Sequence, residues 1–248
     1  WVMTMGRYNL RLANDHVAGD RSVANLLGMI ERIQKQYGAN SSKNWGFDHC
    51  TLVDPKDLPR AAKLGVMFSC APKYIEDVAP AAAASYGTQV ANTFVVPVKS
   101  MLNAGVRVVY EADRDTYVWD DLELFLTRKS VDGKVYGPQE KLNKQETLQT
   151  VTRWAAAYVL RPDKIGSIET GKLADLVVLD RDYLTIPDEQ VSEIQALMTM
   201  LDGKIISETP NFASEYNLRP SGATIGTFKD LFARRPTRVV TMVGEGGG

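Results

Sequence analysis

Residues 45–69, WGFDHCTLVDPKDLPRAAKLGVMFS, decide the fold class. Trp45 to Asp48 reads as a short strand, and a loop with turn residues leads to a helix around Asp57 to Leu64. Gly65 closes that helix, and a second strand, Val66 to Ser69, follows at once. A helix between two short strands implies parallel pairing through a right-handed crossover. The same rhythm extends outward. Upstream, Tyr8 to Ala13 reads as a strand, and Val23, Leu26, Leu27, Ile30 and Ile33 recur at helical spacing, with Asp20 placed to cap and Gly38 to end the helix. Downstream come the alanine-rich Pro80 to Tyr86, a helix near Pro97 to Asn103 that stops before Gly105, and a strand from Val106 to Ala112. Alternation of this kind predicts an α/β fold, either a barrel or an open doubly wound sheet.

The clearest helix is Asn143 to Leu160. Asn143 and Glu146 form a capping box, Leu148, Val151, Trp154, Ala155 and Tyr158 share a face, and Pro162 ends it. Beyond it the pattern turns to β. Ala174 to Leu179 is a nearly continuous apolar strand, and Leu197 to Leu201 with Lys204 to Ser207 predicts a hairpin across Asp202-Gly203. The tail from Pro210 is rich in turn residues, with a short helix expected near Phe228 to Ala233 and disorder in the glycine-rich end.

Of the 248 residues 44% are hydrophobic and 24% charged, as in a folded globular chain, and the net charge is −1. No global field draws the chain to nucleic acid or an anionic membrane, and no apolar run is long enough to span a bilayer. Cys50 and Cys70 are too few and too far apart to read as a disulfide framework; each is expected to be a small buried apolar residue. The first residue, Trp1, marks the sequence as a portion of something longer, so the compartment is not fixed, with the cytoplasm favoured.

The chain has two histidines, and each falls just past a predicted parallel strand. His16 follows the first and His49 the second, about one strand-helix period later, while Asp113 follows the fourth in the same way. Carboxyl ends of parallel strands converge on a site. Two imidazoles and a carboxylate suit a divalent ion such as zinc, and the carboxylate could also take a proton from water. Lys99 and Arg128 are candidate substrate contacts near the mouth, against the alternatives of a solvated helix lysine and a surface pair with Lys129. Trp45, Trp119 and Trp154 read as packing residues, Ser69 and Cys70 lack a partnering histidine, and no glycine-rich phosphate loop occurs.

These residues resemble a family. The segment His16-Val17-Ala18-Gly19-Asp20-Arg21 resembles the His-x-x-Gly-Asp-x segment of the metal-dependent amidohydrolases, in the branch that includes N-substituted formamide deformylases. Phe47-Asp48-His49-Cys50, with Val53, Pro55, Asp57, Leu58, Arg60, Ala61, Leu64 and Gly65 after it, resembles the stretch around the next metal-binding histidine. The run from Gly166 to Leu176, GSIETGKLADL, looks like the family's return from the barrel to a small β-sandwich.

The resemblance implies the second half of a (β/α)8 TIM-like barrel, about strands five to eight, over residues 1–165. Sandwich strands over 166–209 and a carboxyl-terminal extension over 210–248 would follow. It makes His16, His49 and Asp113 ligands of one or two divalent ions, zinc foremost, with Asp113 also the catalytic proton carrier. The expected activity is hydrolysis of a carbon-nitrogen bond in a small amide-like substrate by a metal-activated water. Two departures stand out. Relatives often show Gly-Ser-Asp where this chain has Glu111-Ala112-Asp113, which makes Asp115 a rival, and the His-x-His pair of the first barrel strand has no counterpart. Half a barrel is expected to associate with the missing half or form a homo-oligomer, and a catalytically incomplete structural module is the alternative reading.

Overall fold

A four-stranded parallel sheet organises the computed structural model, which describes residues 1–13, 15–114, 116–219 and 221–224. After a short helix α1 (Val2–Arg7), the strands are β1 (Asp15–Val17), β2 (Gly46–His49), β3 (Met67–Cys70) and β4 (Arg107–Tyr110). They lie side by side in chain order. Sequential order with right-handed crossovers sends every linking helix to the same face. These are α2 (Asp20–Tyr37), α3 (Leu58–Leu64) and, between β3 and β4, α4 (Lys73–Glu76), α5 (Val78–Tyr86), α6 (Thr88–Phe94) and α7 (Val98–Asn103).

The pleat sorts side chains by alternation. Phe47, Phe68, Cys70 and Val108 join one apolar cluster with Leu27 and Ile30 of α2, Leu58 and Ala61 of α3, and Val98 and Met101 of α7. Helix α2 buries Val23, Leu26, Leu27, Ile30 and Ile33 there, a gross gain on the order of 10 kcal/mol before ordering entropy is subtracted. Met67 and Val109 point the other way and pack with Tyr158, Ala13 and Trp154.

That division explains one difference from the sequence reading. After α8 (Val118–Thr127), the expected long helix is two: α9 (Lys144–Thr150), which keeps the capping box of Asn143 and Glu146, and α10 (Arg153–Tyr158). Leu148 and Val151 pack against the first cluster, whereas Trp154 and Tyr158 belong to the second. One straight helix cannot serve both sides of a sheet, and the chain breaks at Thr152, with φ −123° and ψ −98°. Gly46 is required beneath α10, because a Cβ there would lie 2.7 Å from the Tyr158 ring.

The first predicted strand is also displaced. Tyr8 to Ala13 is irregular, tied to the sheet by the Gly46 N–H on the Leu12 carbonyl at 2.9 Å, and the ladder begins at Asp15. The Trp45 indole takes up the Leu10 carbonyl, so this segment spends its polar groups on side chains as well as on a ladder.

A second sheet follows, in the order β5 (Leu176–Leu179), β6 (Ala196–Leu201), β7 (Lys204–Glu208) and β8 (Ala223–Thr224). The predicted hairpin joins β6 to β7, with Asp202 and Gly203 at φ 49° and 74°, the left-handed pair that a two-residue turn needs. Between β7 and β8, Thr209 caps the helix α11 (Pro210–Glu215). The helix expected near Phe228 to Ala233 and the glycine-rich end lie outside the described residues, as does Asp115. The architecture is thus mixed α/β with a parallel sheet, and among the described residues no helix is long and apolar enough to cross a membrane.

Candidate metal centre

The carboxyl ends of β1, β2 and β4 bring together residues far apart in sequence. Register pairs His16 with Asp48 and His49 with Cys70. His16 lies within β1 and His49 is the last residue of β2, so both sit in their strands rather than beyond them. Their rings meet edge to face with centroids 4.2 Å apart, and His16 Nδ1 faces His49 Nε2 at 2.5 Å.

His49 occupies φ 83° and the next residue, Cys50, φ 56°. Positive φ at non-glycine residues is costly and collects at functional positions. Here it turns the histidine ring toward the sheet edge while the cysteine enters the core. Cys50 and Cys70 are both buried, as expected, but they are not free: the two form a disulfide with Cα atoms 5.0 Å apart. Parallel register explains the correction, because Cys50 stands one residue beyond the partner of Cys70.

Glu111 accepts from the other side of the His49 ring, with Oε1 2.5 Å from Nδ1. Asp113, at φ 50°, lies farther along the same loop, its Oδ2 3.9 Å from His49 Nδ1. That oxygen accepts from the Tyr74 hydroxyl at 2.6 Å and pairs with the Lys73 ammonium at 2.6 Å. The Lys73 hydrogen bond, then that of Tyr74, holds the Asp113 carboxyl below the usual carboxylate range. Burial, and next the hydrogen bond to Asp113, pushes the Tyr74 hydroxyl up. Asp48, behind the site, is raised to about 6, first by burial and then by the charge of Glu111; the Tyr158 hydroxyl donates to its Oδ1 at 3.0 Å.

Among the described residues, His49, Glu111 and Asp113 offer ligand atoms all within 4.8 Å of one another. His16 stands outside that trio and meets the same imidazole at Nε2, the nitrogen turned away from Glu111 and Asp113, so His49 has carboxylates on one side and a second imidazole on the other. Nitrogen and carboxylate donors of this kind fit a zinc-like divalent cation. A carboxylate on the far nitrogen of a ligating histidine is also a usual companion of such sites.

A sequence profile of the amidohydrolase family matches residues 13–207. The chain belongs to the amidohydrolase family. It is 28% identical over 191 residues to an N-substituted formamide deformylase of Arthrobacter pascens, covering 76% of this chain and 35% of that one. It is 23% identical over 199 residues to the putative amidohydrolase YtcJ of Bacillus subtilis (strain 168), covering 78% and 37%. The chain therefore spans about a third of the length of these curated relatives. Among solved structures, a metal-dependent hydrolase of Pyrococcus horikoshii OT3 superposes with a TM-score of 0.58 at 22% identity, over 73% of this chain and 36% of that one. Atrazine chlorohydrolase TrzN of Arthrobacter aurescens TC1, complexed with zinc, gives 0.55 at 18% identity, over 94% and 49%. At these identities the two structures speak for the amidohydrolase fold.

Within this member of the family, the candidates named from sequence divide. His16, His49 and Asp113 are brought to one edge. Lys99 is engaged by Glu146 of α9 in an ion pair. Arg128 is fully buried and donates to the carbonyls of Val95, Val96 and Tyr136 at 2.8, 2.9 and 2.6 Å, which leaves it no face for an anionic substrate. Sequence reasoning missed Glu111, Lys73 and Tyr74. Glu111 could have been found: two residues before Asp113 at a strand end, it has the same claim to the edge. Lys73 and Tyr74 open a four-residue helix and carry no local signal.

Proposed function

We propose that this chain supplies the metal-binding edge of a hydrolase that cleaves carbon-nitrogen bonds in small amide-like substrates. The observation that carries the proposal is the convergence of His16 Nδ1 and His49 Nε2 at the ends of adjacent parallel strands, with Asp113 beside the same imidazole, 3.9 Å from its Nδ1. Membership of the amidohydrolase family and likeness to a formamide deformylase support the reaction class. Sequential strand order with helices on one side supports reading residues 1–165 as an arc of a (β/α)8 barrel, 166–209 as sandwich strands and 210–248 as an extension. The rest of a longer chain, or a second copy, would then close the barrel.

His16 and His49 would hold the cation, with Asp113 as a third ligand. When bound, a divalent ion such as zinc makes water nucleophilic near neutral pH and polarises a carbonyl. Asp113 takes the nucleophile's proton at Oδ1 and delivers it to the leaving nitrogen. Lys73 and Tyr74, both on Oδ2, keep that carboxylate ionised and aimed, so the other oxygen is the one that exchanges the proton.

The test is His49→Ala in the full-length protein, purified without a polyhistidine tag, with zinc content by elemental analysis and turnover on N-formyl amides. Loss of both, with the fold retained by circular dichroism, is expected. Retention of metal and turnover overturns the assignment. A wild-type protein with neither favours the non-catalytic structural module.

A further inference from the structure

Glu111 receives two hydrogen bonds from a single residue. Its Oε1 faces His49 Nδ1 at 2.5 Å, and its Oε2 accepts the His49 backbone N–H at 3.1 Å. Both side chains are largely shielded, at 8% exposure for His49 and 16% for Glu111. We propose that Glu111 is a positioning residue that fixes His49 as the Nδ1–H tautomer and holds its ring so that the Nε2 lone pair points at His16 Nδ1. The inference deepens the reading of the histidine pair as cation ligands and rests on it.

The argument is one of donors and acceptors. An ionised carboxylate only accepts, so the ring nitrogen that faces Glu111 must donate. Neutral imidazole has one N–H, and placing it on Nδ1 leaves Nε2 bare. With the tautomer reversed, an N–H would point into the space between the two rings, where a cation needs a lone pair. The second contact does different work. His49 sits at φ 83°, a conformation that is costly for a residue with a Cβ, and the bond to its backbone N–H holds the strained unit in place. Charge assistance makes both bonds stronger than neutral ones. The position is also where this chain departs from the Gly-Ser-Asp form: glycine could make neither contact.

The test uses the full chain, isotope-labelled and metal-free, above neutral pH. A long-range proton–nitrogen correlation spectrum reads the His49 tautomer, and competition with a chromophoric chelator reads zinc affinity. The wild type is expected to show Nδ1–H and a bare Nε2. Glu111→Ala should shift His49 toward Nε2–H or a mixture and weaken zinc binding about 10–100-fold. Glu111→Gln, which keeps one acceptor oxygen, should restore much of the tautomer and serves if the alanine variant does not fold. A wild-type spectrum with Nε2–H, or a tautomer indifferent to both substitutions, overturns the proposal. Wild-type zinc binding with an indifferent tautomer leaves the metal-site reading standing without the clamp. A tautomer that responds in a protein that binds no zinc keeps the clamp and removes the metal-site reading.

Discussion

Arg128 and His49 are alike by every simple measure. Both are polar and almost sealed from solvent, at 0% and 6% exposure, and both adopt positive φ, 53° and 83°. Their partners differ. Arg128 Nε, Nη1 and Nη2 each donate to a main-chain carbonyl, and burial lowers the guanidinium only to about 10, so it stays charged as a strut between the segment before α7, the end of α8 and Tyr136. His49 instead meets side chains: a second imidazole and a carboxylate, with another carboxylate near by. A polar group satisfied by backbone belongs to the scaffold. A polar group surrounded by others that can exchange protons or hold a cation belongs to chemistry.

The contrast is sharpest at Arg128. Replacing it by Met takes the side-chain donor from the buried carbonyls of Val95 and Tyr136, while that of Val96 keeps the Val98 N–H, and should cost about 4 kcal/mol, read as a lower urea midpoint. Weakened substrate binding at unchanged stability would put the residue in the other class. At His49 the backbone can be separated from the ring. His49→Gly should be about 1 kcal/mol more stable than His49→Ala, since glycine accepts φ 83° without strain, while both lose the ligand. Equal stabilities would mean that the loop relaxes and the strain is not held. The smallest effect is expected at Lys99. Its ion pair with Glu146 is partly solvated, so Lys99→Met should change stability by less than about 1 kcal/mol and leave zinc affinity as it was.

What could be read from the residues alone follows the range of the forces involved. The hairpin at Asp202-Gly203 and the capping box at Asn143 are written in neighbouring residues and stand as expected. That the two histidines come together could be read because strand ends recur with the crossover period, a regularity visible in one sequence. The break at Thr152 was not, because it follows from apolar surfaces on both faces of the sheet. Glu111 contacts His49 across 62 positions, and Cys50 reaches Cys70 across 20, so both pairs depend on register between strands. Arg128 reads as a surface cation until Tyr136 and the segment before α7 close over it.

The parallel register of the first two strands also makes the site a clock. His16 stands opposite Asp48, and a slip of one residue would send its ring to the helix-covered face. The two facing nitrogens therefore exist only after α2 has crossed and β1 has locked to β2 in the right frame. Such non-local pairings are slow steps in folding. With the pair binding a cation as proposed, capture of a coloured ion such as cobalt during refolding would mark the moment the first crossover closes, without a label on the chain.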